Sequence, residues 1–415
     1  MNVAVIGSGG REHALVKALV KSESVNEVHA YPGSVGIAQL AQCHAISWNP
    51  STPLIKSLKD QKIDLVVVGP EAPLAEGLGN TLREAGFLVF GPDQAAAQLE
   101  GSKIFCKEFL VDAGIPTADY KILNSYEHAL ELDFDFPFVI KADGLASGKG
   151  VYICKTKEDV QKAAYDIFKR RIFGETQALA EKFLKGWELS YIIITDGTRY
   201  EVCPLAQDHK TLCDGGEGPN TGGMGVLGPI QISEDLDQKI RRNIVEPTLK
   251  TLNDKNLPYR GALFIGLMIQ DDEPYVLEYN VRFGDPETQI IMPLIEGDMG
   301  LLLRSCAQGE LQGFKVRPQH AACVVLAAKG YPDNPEKGAP ISGDILTESE
   351  DSYFIYAGVG RNPSGEFFVS GGRVLGAVGI AATKDEAIEK AYHRLGQVNW
   401  DGIQYRKDIG RYFTF

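Results

Sequence analysis

The first hundred residues alternate between short apolar runs and helical patterns, and this alternation limits the possible folds more than any other feature of the chain. Several of the apolar runs end in small turn residues such as Gly7 and Gly69. Strand–helix alternation predicts a parallel sheet, whose ligands bind at the carboxyl ends of the strands. The predicted strands are Val3–Ile6, Val28–Tyr31, Leu65–Val68 and Leu88–Phe90, and a helix is predicted over Leu74–Glu84.

The opening turn, "GSGGREHALVKAL" at 7–19, looks like the start of a dinucleotide-binding fold. Two residue positions argue against a nicotinamide-dependent oxidoreductase. Glu12 stands where the third glycine belongs, and the second strand ends in Ala30-Tyr31-Pro32 without the acidic residue that binds ribose. What remains is a helix N-terminus with free N–H groups, which suits a single phosphate.

The composition is that of a globular protein, with 415 residues, 44% hydrophobic and 23% charged. A net charge of −13 argues against nucleic acid or an anionic membrane as a partner. No apolar run is long enough to span a bilayer, and the chain enters a strand at Val3 without a basic segment. We therefore expect a cytoplasmic protein. The seven scattered cysteines fit reduced thiols, most of them in the core.

Beyond residue 100 the pattern predicts further units. Residues 120–190 read as a small α+β lid, and a long glycine-rich loop occupies 213–225. The tail from about 320 is rich in strand signals. The predicted strands are Phe138–Lys141, Val151–Cys154, Ala178–Phe183, Ala262–Ile269 and Tyr275–Tyr279, the last two joined by a hairpin turn at 271–274. The predicted helices are Lys157–Lys169, Leu236–Leu252 and Lys384–Leu395.

The first candidate site is "VIKADGLASGKGVYIC" at 139–154, where Lys141 ends a strand and a loop holds Gly148 and Lys149. Glycines let backbone N–H groups approach anionic oxygens, and Lys149 could reach a terminal phosphate. The loop leads into a strand, so it is not a P-loop. The alternative is a glycine-rich hairpin with a solvated lysine.

A second candidate, "ALAEKFLKGWELSYIIIT" at 178–195, contains two strands separated at Lys185-Gly186. The backbone of such a hinge can read an adenine edge, and Glu188 could accept hydrogen bonds from ribose hydroxyls. An ordinary hairpin with an exposed acid is the simpler alternative.

The third candidate is "YVLEYNVRFGDPETQ" at 275–289, where Glu278 and Asn280 share one face of a strand. Two oxygen ligands suit Mg²⁺, which takes one or two protein oxygens plus nucleotide phosphates. Arg282 continues that face and could stabilise charge on a transferring phosphoryl group, and Asp285 follows in the turn. The apolar residues Leu277, Tyr279 and Val281 are predicted to form the other face.

A fourth candidate combines "QDHK" at 207–210 with "GPNTGGMG" at 218–225, whose N–H groups could bind a carboxylate or phosphate. The alternatives are a structural role for His209 and a flexible loop for the glycines.

Taken in order, "GPEAPL", "IKADGLASGKG", "QDHK", "GPNTGGMG" and "RFGDPETQ" resemble the phosphoribosylamine–glycine ligase family of the ATP-grasp superfamily. The resemblance extends from "GSGGREHA" to "RKDIG" at 406–410. It implies that ATP phosphorylates glycine to glycyl phosphate. The amine of 5-phosphoribosylamine then attacks this intermediate, giving glycinamide ribonucleotide, ADP and phosphate, a step of purine biosynthesis.

The resemblance also implies a multidomain α/β and α+β fold and its parts. These are an N-terminal Rossmann-like domain (1–103), a central ATP-grasp domain (104–119 and 191–325), a lid (120–190) and a C-terminal domain (326–415). ATP with Mg²⁺ or Mn²⁺ would be the cofactors, glycine and 5-phosphoribosylamine the substrates, and the protein a monomer or weak homodimer.

The site residues carried over from the resemblance fall into four groups. Arg282, Lys149 and Asp285 would be catalytic, and Glu278 and Asn280 the metal ligands. ATP would contact Lys103, Lys141, Gly148, Lys149, Glu181, Phe183, Leu184 and Glu188. The two other substrates would contact Gly9, Gly10, Arg11, Pro32, Gly33, Glu71, Asp208, His209, Asn220 and Thr221.

Two other classes of function stay open at this stage. A non-catalytic nucleotide-binding module has little reason to keep Glu278, Asn280, Arg282 and Lys141 together. A different carboxylate–amine ligase would have to differ around 207–225.

Overall fold

The computed structural model describes residues 1–145 and 150–411. The N-terminal sheet is parallel throughout, and its first strand lies at the centre. Val3 and Val5 pack into one apolar cluster while Ala4 and Ile6 pack into another, so both faces of the sheet are covered. The strand order is Gln42–Cys43, Glu27–Pro32, Asn2–Gly7, Leu65–Val68 and Leu88–Phe90.

Three of the predicted helices are present but interrupted. The predicted helix over 74–84 is two short helices, because Gly77 between them has a φ of +88°. The helices predicted over 157–169 and 236–252 each contain a π-helical segment, Tyr165–Lys169 and Arg241–Val245. The α-helices are Gly10–Leu19, Ser51–Asp60, Glu71–Ala75, Leu78–Glu84, Gln94–Gly101, Lys103–Asp112, Tyr126–Leu130, Lys157–Ala164, Glu234–Ile240, Glu246–Asp254, Glu287–Leu294, Met299–Gln308 and Lys384–Leu395.

The predicted lid contains an antiparallel sheet with an apolar core of its own. The described residues of this cluster lie between Leu123 and Ala180, among them Phe138 and Ile140. A separate core is what a unit needs if it is to move as a body, as the predicted lid would. The strand order is Tyr120–Leu123, Ala178–Lys182, Phe138–Ala142 and Val151–Cys154.

The central sheet is antiparallel and ends in the predicted hairpin. Its two-residue turn has positive φ at both Asp271 (52°) and Asp272 (59°), as a type I′ turn requires. The strand order is Tyr200–Val202, Trp187–Thr195, Gly261–Gln270 and Glu273–Asn280.

A β-bulge interrupts this hairpin at Leu277. Glu278 pairs with Gly266, whereas the next pair joins Val276 to Leu267, so Leu277 is an extra residue. The prediction that Leu277 shares the apolar face with Tyr279 is wrong, because the bulge shifts the alternation and Val276 is the buried residue. Glu278 and Asn280 keep the shared face that the sequence predicted.

The C-terminal sheet takes strands from two distant parts of the chain. Gln207–Asp208 and Gly225–Gly228 join strands from beyond residue 320. The predicted boundary at 325/326 falls inside the strand His320–Ala327, so this sheet does not respect it. The strand order is Gln207–Asp208, Gly225–Gly228, His320–Ala327, Arg373–Ala381 and Ser352–Tyr356.

One apolar cluster joins the N-terminal, central and C-terminal parts. Leu15 of the first helix, Ile290 of the helix Glu287–Leu294 and Val378 of the C-terminal sheet all belong to it. The short strand pairs outside the main sheets are Thr211–Cys213 with Glu217–Asn220, Ile295–Glu296 with Lys315–Val316, Ser342–Gly343 with Val398–Asn399, and Val359–Arg361 with Phe367–Val369. All seven cysteines are free, and five of them are buried, as predicted.

Among the described residues no helix combines the length and apolarity needed to cross a membrane.

Candidate active site

Three buried charges lie where the lid meets the central unit. Lys141 Nζ is 3.0 Å from Glu181 Oε2, and Lys107 Nζ is 3.5 Å from the same oxygen. All three side chains are buried. Burial alone would lower the pKa of Lys141, but Glu181 and Glu278 raise it above its ordinary value. Lys141 is therefore a cation at neutral pH, as a phosphate-binding residue must be.

Lys103 lies beside this group and supports the start of the predicted phosphate loop. Its Nζ donates to the carbonyl oxygen of Gly144 at 2.7 Å. The carboxylate of Asp143 accepts from the Ser102 hydroxyl and from the Ile104 N–H, each at 3.1 Å. These bonds hold the start of the loop against the N-terminus of the helix Lys103–Asp112. The predicted Gly148 and Lys149 lie outside the described residues.

The predicted adenine hinge follows the strand Ala178–Lys182. Phe183 is exposed and Leu184 is half-buried, so both are open to a ligand. Glu181 is directed inward to its two lysines, so its carboxylate does not line the open surface.

Lys210 connects the predicted ribose acid with the predicted metal ligand. Its Nζ is 2.8 Å from Glu188 Oε2 and 4.0 Å from Glu278 Oε1. Partial burial would lower the pKa of Lys210, but Glu188 and Glu278 raise it well above its ordinary value. Burial would likewise raise the pKa of Glu278, yet Lys210, Lys141 and Lys103 lower it. Glu278 is therefore ionised and surrounded by cations.

Arg282 is held by oxygens from three parts of the chain. Its Nη2 donates to Glu100 Oε1 at 2.8 Å and to Asn280 Oδ1 at 3.1 Å, and its Nε donates to Glu71 Oε2 at 3.3 Å. Glu71 belongs to the N-terminal domain, so this arginine joins that domain to the predicted metal strand. Burial raises the pKa of Glu100 to about 7, while Arg282 opposes that rise.

In the N-terminal turn, the carboxylate of Glu12 accepts hydrogen bonds from the groups around it. The Gly9 N–H donates to Glu12 Oε2 at 2.6 Å, and Arg11 Nε donates to Glu12 Oε1 at 2.5 Å. A Cβ at Gly69 would lie 2.2 Å from Glu12 Oε1, and one at Gly7 would lie 2.6 Å from Glu12 Cγ. The glycines therefore make room for a buried carboxylate, and the prediction of a free N–H at Gly9 is wrong.

The neighbouring turn is bonded to the first one. The Gly33 N–H donates to the Gly7 carbonyl oxygen at 3.2 Å, whereas Pro32 is exposed. Gly10 lies against the site, because a Cβ there would be 2.9 Å from Gln289 Nε2 and 3.6 Å from Asp285 Oδ1.

Asp285 connects the N-terminal turn with the C-terminal sheet. Its Oδ2 is 2.9 Å from Arg373 Nη2, and its Oδ1 accepts from Gln289 Nε2 at 2.6 Å. Arg373 also donates to the carbonyl oxygens of Asp285 and Gly222. The C-terminal domain therefore contributes a side chain that fixes both the turn at Asp285 and the glycine-rich loop.

Two further carboxyls lie beneath that loop. Glu287 accepts from the Ser190 hydroxyl at 2.9 Å, and among the described residues Asp208 Oδ1 has no hydrogen-bond partner. Burial, together with repulsion from Glu287, raises the pKa of Asp208 well above its ordinary value. Burial also raises the pKa of Glu287.

Three predicted substrate residues have mainly structural contacts. The ring of His209 contacts the carbonyl oxygen of Gly225 and the N–H of Gly410, each at 3.3 Å, which supports the alternative of a structural histidine. The Thr221 hydroxyl donates to the Lys210 carbonyl oxygen at 2.8 Å and accepts from the Gly223 N–H. Asn220 is exposed in a short hairpin.

Five residues that the sequence prediction missed belong to this arrangement. Lys210 stands in the quoted "QDHK" stretch, so its charge was a visible signal. Glu287 stands in the quoted "RFGDPETQ" stretch and was equally visible. Lys107, Glu100 and Arg373 lie outside the quoted motifs, and only the fold brings them in. The five are Lys107, Glu100, Lys210, Glu287 and Arg373.

The donor set on the predicted metal strand fits a hard divalent cation. It offers the ionised carboxylate of Glu278 and the oxygen of Asn280, which accepts from Arg282 Nη2 and keeps a second lone pair. Across 1–145 and 150–411, no group of three or more His, Cys, Asp or Glu could hold a metal ion. Two oxygens suit a cation whose other ligands come from nucleotide phosphates and water.

Comparisons with known proteins identify the family to which the chain belongs. Models for the N domain, the ATP-grasp (A) domain and the C domain of phosphoribosylglycinamide synthetase match residues 1–100, 101–288 and 321–412. The phosphoribosylamine–glycine ligase of Clostridium acetobutylicum is 41% identical, over 99% of this chain and 100% of its own length. The chain belongs to the phosphoribosylamine–glycine ligase family. It is therefore an ATP-grasp ligase.

Other relatives agree with this assignment, and a more distant structure shares the fold. The crystal structure of the phosphoribosylamine–glycine ligase of Thermotoga maritima has 38% identity and a TM-score of 0.87, covering 99% of this chain and 100% of that one. The human trifunctional purine biosynthetic protein adenosine-3 is 41% identical over 98% of this chain and 41% of its own length. A Campylobacter jejuni biotin carboxylase, at 14% identity and a TM-score of 0.72, covers 97% of this chain and shares the fold.

Proposed function

We propose that this chain joins glycine to 5-phosphoribosylamine at the cost of ATP, through a glycyl phosphate intermediate, to give glycinamide ribonucleotide, ADP and phosphate. The observation that carries the proposal is the convergence of four parts of the chain on one strand end. Lys141 of the lid, Glu278 to Arg282 of the central strand, Glu71 of the N-terminal domain and Arg373 of the C-terminal sheet all meet there.

The first step needs a cationic surface. A glycine carboxylate oxygen attacks the γ-phosphorus of ATP, the bond from that phosphorus to the bridging oxygen breaks, and ADP leaves. Lys103, Lys141 and Lys210 supply positive charge on the lid and central sides of Glu278. Arg282 presents a fixed guanidinium beside them, because Glu71, Glu100 and Asn280 hold it in place. Such preorganised charge stabilises a transferring phosphoryl group without reorganisation.

The second step forms the amide. The amine nitrogen of 5-phosphoribosylamine attacks the acyl carbon, phosphate leaves, and the nitrogen loses a proton. Water would hydrolyse glycyl phosphate, so the site must be closed during the reaction. The lid has its own core and can close as a unit over the strand end. We assign the phosphoribosylamine to the side of Gly10, Arg11 and Glu71, which lies across Asp285 from the lysines.

Glu278 and Asn280 would hold the divalent cation, which neutralises phosphate charge when it is bound. We propose Mg²⁺ or Mn²⁺, since both accept carboxylate and carboxamide oxygens. We also propose a cytoplasmic monomer or weak homodimer with no nucleic-acid or membrane partner, in line with the net charge of −13.

One assay tests the proposal directly. ADP release is measured with ATP and Mg²⁺, adding glycine and 5-phosphoribosylamine separately and together, and the product is identified by mass. We expect sustained ADP release only with both substrates. Release that does not depend on 5-phosphoribosylamine, or that needs a different amino acid, would assign the chain to another carboxylate–amine ligase.

A further inference from the structure

Lys107 takes part in the buried charge group, although it is distant from the open surface where a nucleotide would lie. Only 3% of its side chain is exposed, compared with 4% for Glu181 and 11% for Lys141. Its Nζ donates to the hydroxyl of Thr117 and lies 3.5 Å from Glu181 Oε2. A buried lysine needs a reason to be there, because a charge removed from water is costly unless it is paired.

The charges of this group do not cancel. Lys107 and Lys141 are two cations that share one carboxylate, Glu181, through the same oxygen atom. With all three groups ionised, the group carries a net charge of +1. Lys141 is the more exposed of the two lysines, and Glu278 is among the groups that raise its pKa. The surplus positive charge therefore faces the predicted phosphate site.

The same group is fixed to the bulge in the metal strand. Thr117, the partner of Lys107, donates its hydroxyl to the carbonyl oxygen of Val276 at 2.7 Å. Lys141 donates to the carbonyl oxygen of Leu277 at 3.3 Å. These two carbonyls immediately precede Glu278, so the two lysines are positioned against the strand that carries the predicted metal ligands.

We propose that Lys107 is a positioning residue that balances the charge of Glu181, so that Glu181 does not neutralise the field of Lys141 at the ATP phosphates. This inference rests on the proposed function, since it assumes that Lys141 faces ATP. Without Lys107, Glu181 would pair with Lys141 alone. Lys141 would remain protonated but the pair would be neutral, so ATP would meet no net positive charge there although no group that touches ATP had been changed.

The test uses Lys107→Met in the full chain, which keeps most of the side-chain length and removes the charge. The dissociation constant of ATP is measured by calorimetry, and KM values for ATP and glycine are measured in the complete assay. We expect the ATP dissociation constant and KM to rise at least about tenfold, with KM for glycine within about twofold of wild type. Lys182→Met is the matched control, because Lys182 is an exposed lid lysine paired with Asp119, and we expect it to behave like wild type.

A second substitution separates charge balance from simple structural support. In Lys107→Met/Glu181→Gln the group regains a net charge of +1, so ATP should bind at least about threefold more tightly than to Lys107→Met. A structural role predicts the opposite, because the double variant loses both partners and should bind ATP no better than Lys107→Met. That result would overturn the inference.

Two further outcomes are decisive. If wild type binds ATP and makes product while Lys107→Met binds ATP as tightly, the inference fails and the proposed function stands. If wild type itself neither binds ATP nor releases ADP, the proposed function fails. Should Lys107→Met not fold, Lys107→Gln, which keeps a hydrogen bond to Thr117 without the charge, is measured in the same way.

Discussion

Two regions of this chain combine glycines with buried charge, and they use them differently. In the N-terminal turn, Glu12 accepts from the Gly9 N–H and from Arg11, so the polar groups satisfy one another. At the end of the central strand, Glu278 is ionised among three lysines and is 43% exposed. The comparison teaches that glycine density alone does not show whether a turn is open to a ligand. The charge that the fold leaves unpaired and exposed is the better guide to the predicted ATP site.

The largest expected effect is a loss of catalytic rate at the end of the central strand. Glu278→Ala should lower kcat about a thousandfold, which corresponds to about 4 kcal/mol of transition-state stabilisation. The loss follows from removing the ionised carboxylate of the predicted metal pair. Steady-state ADP release measures it, and thermal unfolding should remain near that of wild type. Glu273→Ala on the same strand is the control, since Glu273 is an exposed partner of Lys239. Near-normal turnover in Glu278→Ala would remove this residue from the metal site.

Substitution of Glu12 in the N-terminal turn should lower the free energy of unfolding. Glu12→Gln keeps an oxygen for the Gly9 N–H but leaves Arg11 buried without its close anionic partner. We expect a loss of about 2 to 4 kcal/mol in the free energy of unfolding. Urea unfolding monitored by circular dichroism measures this loss, with exposed Glu23→Gln as the control. A variant that keeps full stability but loses turnover would place Glu12 in the reaction and remove the distinction between the two regions.

His13 makes the stability of the N-terminal domain sensitive to acid. Burial, together with the nearby Lys17, lowers the pKa of His13 to about 3, and its Nδ1 accepts the Tyr356 N–H at 2.8 Å. Below pH 6.5 His13 is protonated in the unfolded chain but stays neutral in the folded chain. The free energy of unfolding therefore decreases as the pH falls from 6.5 towards 3. Between pH 7.5 and 5 we expect His13 to account for a loss of about 2 kcal/mol. His13→Gln, which keeps an acceptor, should remove that contribution in urea titrations. The same pH dependence in both proteins would contradict this prediction.

The smallest expected effect concerns Thr221, which the sequence placed in the substrate pocket. Its hydroxyl bridges Lys210 and Gly223 within the glycine-rich loop. Thr221→Val should therefore cost about 1 kcal/mol of stability and change the KM for glycine less than threefold. Thr198→Val, at an exposed position outside the glycine-rich loop, is the control. A KM increase of tenfold or more would instead make Thr221 a substrate contact.

Local pattern predicted much of the fold. Leu65–Val68, Leu88–Phe90 and Lys384–Leu395 have the predicted bounds, because apolar runs and helical spacing are local signals. The bulge at Leu277 and the break at Gly77 depend on pairing and backbone angles, which composition does not reveal.

The candidate site likewise contains residues that a local pattern predicts and residues that only the fold brings together. Glu278, Asn280 and Arg282 could be predicted because they repeat at strand spacing within one segment. Glu100 and Arg373 reach Arg282 and Asp285 from positions 182 and 88 residues away, and no local pattern records such contacts. Glu12 was read as an interruption of a glycine pattern, whereas it is the group around which that turn is built.

The bulge at Leu277 adds a backbone carbonyl to the site without changing which side chains face it. Val276 and Glu278 pair with the adjacent residues Leu267 and Gly266, so they take opposite faces of the sheet as two consecutive residues would. Tyr279 therefore stays inside, and the carboxylate of Glu278 stays on the outer face. A strand without Leu277 would keep these faces, but it would lose the carbonyl oxygen that accepts from Lys141. The extra residue thus serves as a backbone ligand for a lysine of another unit.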